Sequence, residues 1–403
     1  MPRTKSSGTR VLLATTCTPD DRKTLCAARS LAQRGVSVTV GSDRFQGLAY
    51  WSRAVAGRLR YPHPGEDPAR FAAQLEHVLR EQRYDAILPA NDYTTIALAK
   101  HAGSLEGWTR LALPAPENLL LAHDKYALAA LCRRLGLEIP RTRLAHTEEE
   151  ILAAADDTGY PCVVKYRRGS GAVGLRILTG PASRRPASRV ERAADLVFDP
   201  TQSVVQEFVP GAVHDVCGLF CHGELRAAVT QRRLRMYPAA GGVGVDCVTT
   251  TEPGLVERAA TLMRELQWHG PAQIEFKVDA ASGRVWLIEV NGRLWGTLAL
   301  SVWAGIDMPW LLLRMALDGG IDPQPPGPAG VRYRWPLPLG LLHALQSGET
   351  WPALRDLFAP CPGAGGDWRW SDPAPQAAEA VYALRRMWER GRLGPERRNP
   401  MSQ

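Results

Sequence analysis

Apolar residues fall in short blocks separated by amphipathic stretches. Arg10–Thr16 (RVLLATT) reads as a buried strand, Asp20–Arg34 as an amphipathic helix stopped by Gly35, and Val36–Val40 as a second strand. A helix over Pro68–Gln82, a strand over Tyr84–Pro89 and a helix over Tyr93–Ala102 follow. Strands alternating with helices imply a parallel sheet covered on both faces. Residues 1–115 are therefore expected to form a Rossmann-like α/β domain. The segment after the first strand, Thr15-Thr16-Cys17-Thr18-Pro19-Asp20, has no glycine, so the dinucleotide fingerprint is missing and the fold implies no NAD. Asn91 and Asp92 stand at the carboxyl end of the third strand, where such sheets bind ligands. Asp92 is expected to cap the next helix, with a substrate contact as the competing role.

Further along, the texture changes. Helices are expected over Lys125–Leu135 and Glu148–Asp156, then a strand at Cys162–Tyr166, a glycine loop, and a strand at Leu175–Leu178. Residues 181–192 are polar and basic and read as a loop. Ser203–Val209 is a strand, and Val213–Cys221 pairs with Glu224–Arg232 across His222-Gly223. A second glycine loop spans Gly241–Gly244, a helix covers Gly254–Leu266, and a hairpin joins Ala272–Asp279 to Arg284–Val290. The resulting division is an α/β domain over 1–115, α+β subdomains over 116–203 and 204–325, and an extension over 326–403. Trp335, Trp351, Trp368 and Trp370 of the extension are expected to fill a core.

Two segments carry chemistry. Gly169, Ser170, Gly171 and Gly174 lie in a G-x-G-x-x-G pattern, a weak signal alone. A dinucleotide loop needs a helix after it, and a Walker loop needs Lys-Ser/Thr; here Leu175-Arg176 lead into a strand. A hairpin lid over phosphates fits the flanking strands, and Lys165 stands four residues before it. A plain surface hairpin is the alternative. In the hairpin at 272–290, the five-residue loop sets Glu275 opposite Glu289. Opposed carboxylates repel unless a divalent cation lies between them. Mg²⁺ takes oxygen ligands, which suits both glutamates and Asn291, and Arg293 stands where it can neutralise a transferring phosphoryl group. Arg233 and Arg235 are expected on one strand face, as binders of a carboxylate or phosphate or as a basic edge.

Composition narrows the picture. The 403 residues are 45% hydrophobic and 22% charged, which excludes disorder as the main state. The net charge of +8 comes from 49 basic residues, of which only six are Lys. The Arg residues are scattered without an aromatic–basic stripe, so a nucleic-acid partner is not expected. The eight Cys have no framework spacing: Cys217 and Cys221 lie four apart, with no second pair or nearby His cluster to complete a zinc site. No apolar run approaches the ~20 residues of a spanning helix, and the N-terminus lacks a leader pattern, so a cytoplasmic, membrane-free protein is expected.

Taken together, His123-Asp124-Lys125, Val163-Val164-Lys165 with its glycine loop, Val205–Gly211 (VQEFVPG), Ile274–Asp279 and Ile288–Arg293 resemble the ATP-grasp superfamily, specifically its carboxylate–amine ligase-like members. The resemblance runs from about Arg10 to Gly320. It implies two subdomains holding ATP between their sheets. It also implies that Lys125 and Lys165 contact phosphates and that Gln206, Glu207, Phe208 and Val209 form the adenine hinge. His214 or Asp215 would serve the ribose, although Val213 stands where relatives carry an acidic residue. Glu275, Glu289 and Asn291 would hold Mg²⁺, for which Mn²⁺ can substitute, and Arg293 would steady an acyl-phosphate. The implied reaction joins a small-molecule carboxylate to an amine with release of ADP and phosphate. A phosphotransferase and a non-catalytic ATP-binding module are the alternatives, and a homodimer is the expected assembly.

Overall fold

The computed structural model describes residues 8–17, 21–44, 47–169, 174–181, 201–238, 241–346, 351–352, 354–355, 359, 361 and 363–381. The first sheet holds β1 (Arg10–Ala14), β2 (Ser37–Ser42), β3 (Gly57–Arg60) and β4 (Ala86–Pro89), ordered β3-β2-β1-β4 with every pair parallel. Helices α1 (Arg22–Gln33), α2 (Pro68–Glu81), α3 (Asp92–Lys100) and α4 (Ala102–Leu105) accompany it. Side-chain alternation in β1 explains its unbroken apolar run. Val11 and Leu13 pack with Leu25 and Leu31 of α1, while Leu12 and Ala14 pack with Phe71 and Leu75 of α2. Burying each large side chain contributes about 1.5–3 kcal/mol.

The second sheet is antiparallel, ordered β5-β8-β6-β7. Its chain order runs α5 (Pro116–His123), α6 (Lys125–Arg134), β5 (Thr142–Ala145), α7 (Glu148–Thr158), β6 (Cys162–Tyr166), β7 (Arg176–Leu178) and β8 (Ser203–Glu207). Ile151 and Ala155 of α7 pack on Val164 and Val205, which leaves the other face for the cleft.

The third sheet has seven strands in the order β13-β12-β9-β10-β11-β14-β15. They are β9 (Ala212–Cys221), β10 (Glu224–Tyr237), β11 (Val243–Thr250), β12 (Gly270–Val278), β13 (Val285–Asn291), β14 (Arg332–Arg334) and β15 (Gly365–Gly366). Helices α8 (Pro253–Glu265), α9 (Leu298–Trp303) and α10 (Met308–Asp318) lie among them. Leu262 and Met263 of α8 pack against Val216 and Phe220, and Leu312 and Met315 of α10 pack with Cys217 and Leu219. Both faces of β9 are therefore buried.

Several expectations are corrected. β11 stands where only a glycine loop was expected, and β10 runs on to Tyr237 because β11 pairs with it. The extension joins the large sheet, where β14 pairs with β11 and β15 with β14. Only Trp335 of the four tryptophans is buried; Trp351 is 82% and Trp370 84% exposed, and Trp368 is exposed as well. The basic segment at 181–192 lies outside the described residues from 182 onward. Among the described residues no helix is long and apolar enough to cross a membrane.

Candidate active site

A cleft lies between the second sheet and the β9–β10 and β12–β13 portion of the third. Its apolar slot includes Val163, Ile177, Phe208, Val213 and Ile288. Lys125, Lys165, Glu275 and Glu289 line the same cleft. Lys125 opens α6, whose N-cap Asp124 accepts from Tyr126 and Ala127 N–H. The Lys125 Nζ donates to Gly169 O at 2.7 Å. Lys165 sits on β6, and burial together with the charge of Lys125 lowers it to about 8, against the opposing pull of Glu289 and Glu275. Two ammonium groups sharing one cavity suit a polyanion.

Gly169 lines the cleft, whereas Ser170 and Gly171 lie outside the described residues. Gly174 has φ +73°, and a Cβ there would lie 2.6 Å from the Tyr166 ring, so only glycine fits. Gln206, Glu207, Phe208 and Val209 all line the cleft. The Gln206 amide donates to Thr142 Oγ1 at 2.8 Å, and the Glu207 carboxylate pairs with Arg141 at 2.6 Å. Those two side chains are committed within the protein.

In the β12–β13 register Glu275 stands opposite Glu289, and Gln273 opposite Asn291. Glu275 Oε1 accepts from Arg233 Nη2 at 2.7 Å and from Asn291 Nδ2 at 3.2 Å. Burial raises the Glu275 carboxyl, with Asp215 and Glu289 adding to the rise and Arg233 opposing it. Among the described residues no hydrogen bond or ion pair engages the Glu289 carboxylate. A divalent cation fits this donor set, because it would relieve the repulsion that the register imposes.

Arg233 is almost fully buried. It makes a bidentate contact with Asp215 (Nε–Oδ2 3.0 Å, Nη2–Oδ1 2.6 Å) and also donates to Gly242 O at 3.1 Å. Asp215 is itself fully buried and accepts from Gln231 at 2.8 Å and Gln273 at 3.1 Å. His214 and Asp215, expected at a ribose, therefore do not line the cleft; His214 Nδ1 lies 3.6 Å from Glu252. Arg235 is not beside Arg233 either. A bulge in β10 separates them, and Arg235 turns to Asp246 at 3.4 Å, where Arg332 also pairs at 2.8 Å.

Arg293 does not line the cleft. Its Nη2 donates to Asn291 Oδ1 at 2.9 Å and its Nε to Asp92 Oδ2 at 3.3 Å. The cap of α3 is Asn91, not Asp92, and it accepts from Thr94 N–H at 3.0 Å. Asn91 also donates to Thr15 Oγ1 (3.1 Å) and Thr16 Oγ1 (2.8 Å). Glu275, Asn291, Arg293 and Asp92 thus form a polar chain from the cleft to the carboxyl ends of β1 and β4, where the order of the first sheet reverses. Burial would raise the Asp92 carboxyl, but Arg293, with His123 and Lys23, outweighs it and holds the group at about 2. The pairing contributes above the ordinary carboxylate range and is lost as pH falls towards 2. Asp92→Ala leaves Arg293 partly buried and without this partner, so urea unfolding should show a loss of about 3 kcal/mol; an unchanged midpoint would remove the pair from the account.

Sequence reasoning assigned no role to Lys277, although it is one of the six lysines. It lines the cleft with its Nζ 5.3 Å from the centre of the Phe208 ring, and burial lowers its pKa.

Comparison with known proteins agrees with this layout. Residues 124–214 match the family described as "Carbamoyl-phosphate synthase L chain, ATP binding domain", and residues 199–336 match "ATP-grasp in the biosynthetic pathway with Ter operon". A putative urea carboxylase from Emericella nidulans is 26% identical over 322 residues, covering 74% of this chain. The chain spans only 25% of that relative's length. Among solved structures, an L-amino acid ligase from Bacillus licheniformis superposes with a TM-score of 0.59 at 17% identity, covering 77% of this chain and 75% of that one. A biotin carboxylase from Campylobacter jejuni gives 0.61 at 15% identity, covering 78% and 72%. The likeness in structure shows the ATP-grasp fold, with a parallel α/β sheet followed by antiparallel sheets. With both family matches falling on the cleft-bearing segments, the chain is an ATP-grasp superfamily protein, similar to carboxylate–amine ligases and carboxylases.

Proposed function

We propose that the chain is an ATP-dependent ligase that joins a carboxylate to an amine. The observation that carries this reading is the Glu275–Glu289 pair facing the same cleft as Lys125 and Lys165, with no hydrogen bond or close ion pair on Glu289 among the described residues. The acid would take the γ-phosphoryl group of ATP, releasing ADP and forming an acyl-phosphate, from which an amine would displace phosphate; a bound Mg²⁺ would supply charge neutralisation at the phosphates. Glu275 and Glu289 would hold the metal, with Asn291 beside Glu275. Lys125 and Lys165 would bind phosphate oxygens, and the slot of Val163, Ile177 and Ile288 would take the base. Arg233, which also lines the cleft, holds Glu275 by an ion pair, and its tie to Asp215 keeps that geometry rigid. Arg293 and Asn91 stand at the sheet junction, where the acid would meet the phosphoryl group. No covalent protein nucleophile is needed; positioning and charge neutralisation supply the rate.

The urea carboxylase relative favours a second reading, in which the acid is bicarbonate and the product a carbamate. A phosphate-release screen separates the two. The ligase reading expects ADP formation that requires both a carboxylic acid and an amine. ADP formation with bicarbonate and a nitrogen acceptor alone would favour the carboxylase reading. Nucleotide binding without turnover across the whole panel would contradict both.

A further inference from the structure

The large sheet carries a second cluster of chemistry at its far end. Cys221 closes β9, and His222-Gly223 form the two-residue turn into β10. The β9–β12 register pairs Gly270 with Phe220. Continued by one residue, it sets His269 opposite Cys221, on the same face of the sheet. Trp268 O accepts from Gly223 N–H at 2.8 Å, which ties the turn to the segment that carries His269. The His222 and His269 rings stack at 4.4 Å with an interplanar angle of 26°. One ligand atom from each of Cys221, His222 and His269 lies within 4.8 Å of the others. Sequence spacing could not reveal this cluster, because His269 is far from Cys221 along the chain.

Two observations point to a ligand. His269 Nδ1 is buried and, among the described residues, has no hydrogen-bond partner. A buried ring nitrogen left unsatisfied is costly. His222 holds φ +50°, a left-handed conformation that a two-residue hairpin turn demands and that Asn, Asp or Gly normally fills. Histidine is among the residue types that tolerate this region, and here the turn presents its ring to His269. The partly buried Cys221 thiol donates to Gly319 O at 3.6 Å, just past the end of α10.

We propose that Cys221, His222 and His269 form a transition-metal site of the zinc class. One thiolate and two imidazoles are the donors that Zn²⁺ prefers over Mg²⁺, and a fourth position stays open to water. The Cys221 proton leaves as the metal binds. Cys221 lies eight positions along β9 from Val213 in the cleft, roughly 27 Å at the rise of an extended chain. The site is therefore distinct from the carboxylate pair, and its metal would staple the β9–β10 turn to the start of β12.

The full chain, stripped with a chelator, is titrated with Co²⁺ and then Zn²⁺. One Co²⁺ per chain should develop intense near-ultraviolet sulfur-to-metal absorption, and Zn²⁺ should displace it. Co²⁺ bound at Glu275 and Glu289 gives no such band. Cys221→Ser should abolish the band. His222→Asn, in which Asn keeps the left-handed turn, and His269→Gln should each weaken Zn²⁺ binding by at least roughly tenfold. The two histidine variants are read independently, with circular dichroism reporting the fold, so a folding defect in one leaves the other decisive. Absence of the band in the parent chain, or its survival in Cys221→Ser, overturns the site. So does undiminished affinity in a folded histidine variant.

Discussion

Glu289→Ala is expected to lower ADP formation by about 10³-fold while leaving the fold intact. Glu289 stands opposite Glu275 across β12–β13, and no hydrogen bond or close ion pair among the described residues holds it, although its charge acts on Lys165 in the same cleft. Its negative charge helps to raise the neighbouring Glu275 carboxyl. In the free protein its removal relieves repulsion, so the urea midpoint should stay level or rise slightly. A side chain whose loss does not weaken the fold but stops turnover is held in place for the reaction. Wild-type turnover in the alanine variant would rule out a metal-holding role.

Lys165→Ala should weaken nucleotide binding by about 10- to 100-fold, the range expected for losing one hydrogen bond to a charged group. Burial and Lys125 set the Lys165 ammonium near 8 in the free protein. Only the protonated form attracts phosphate. Affinity should therefore hold steady below pH 8 and fall as pH rises above it, by up to about tenfold per unit. Lys165→Arg, charged throughout that range, should flatten the profile. A fluorescent nucleotide titrated from pH 6.5 to 9.5 reads both effects. A flat wild-type profile with normal affinity in Lys165→Ala would remove this lysine from the site.

Much of the first sheet was legible because β1 and β4 are apolar on both faces and α1 and α2 are bounded by cap residues and breakers. The Glu275–Glu289 pairing was expected from a five-residue loop, but Val278 pairs with Val285 beside the loop, and a bulge between Glu275 and Phe276 restores the opposition of the two glutamates. Other features depend on contacts that no local pattern encodes. Asn91 and Asp92 are both good caps, and the choice between them was made by Arg293, some 200 residues away. Arg233 and Arg235 share a strand period, but the bulge in β10 sends one to Asp215 and the other to Asp246. The resemblance offers Asp215 as a ribose contact. It is instead the buried anchor of Arg233, a role visible only once β9, β10 and β12 lie side by side. β11 escaped notice because its glycines read as a loop, although Val245 and Cys247 are fully buried.

The central claim is that Glu275 and Glu289 grip a divalent cation alongside the nucleotide. Electron paramagnetic resonance of Mn²⁺ added to the full chain with ADP tests it most directly. A nucleotide-dependent bound Mn²⁺ signal should appear in the parent chain and disappear when both glutamates are replaced by alanine. Equal Mn²⁺ binding in the parent and the double variant, both folded, would contradict it.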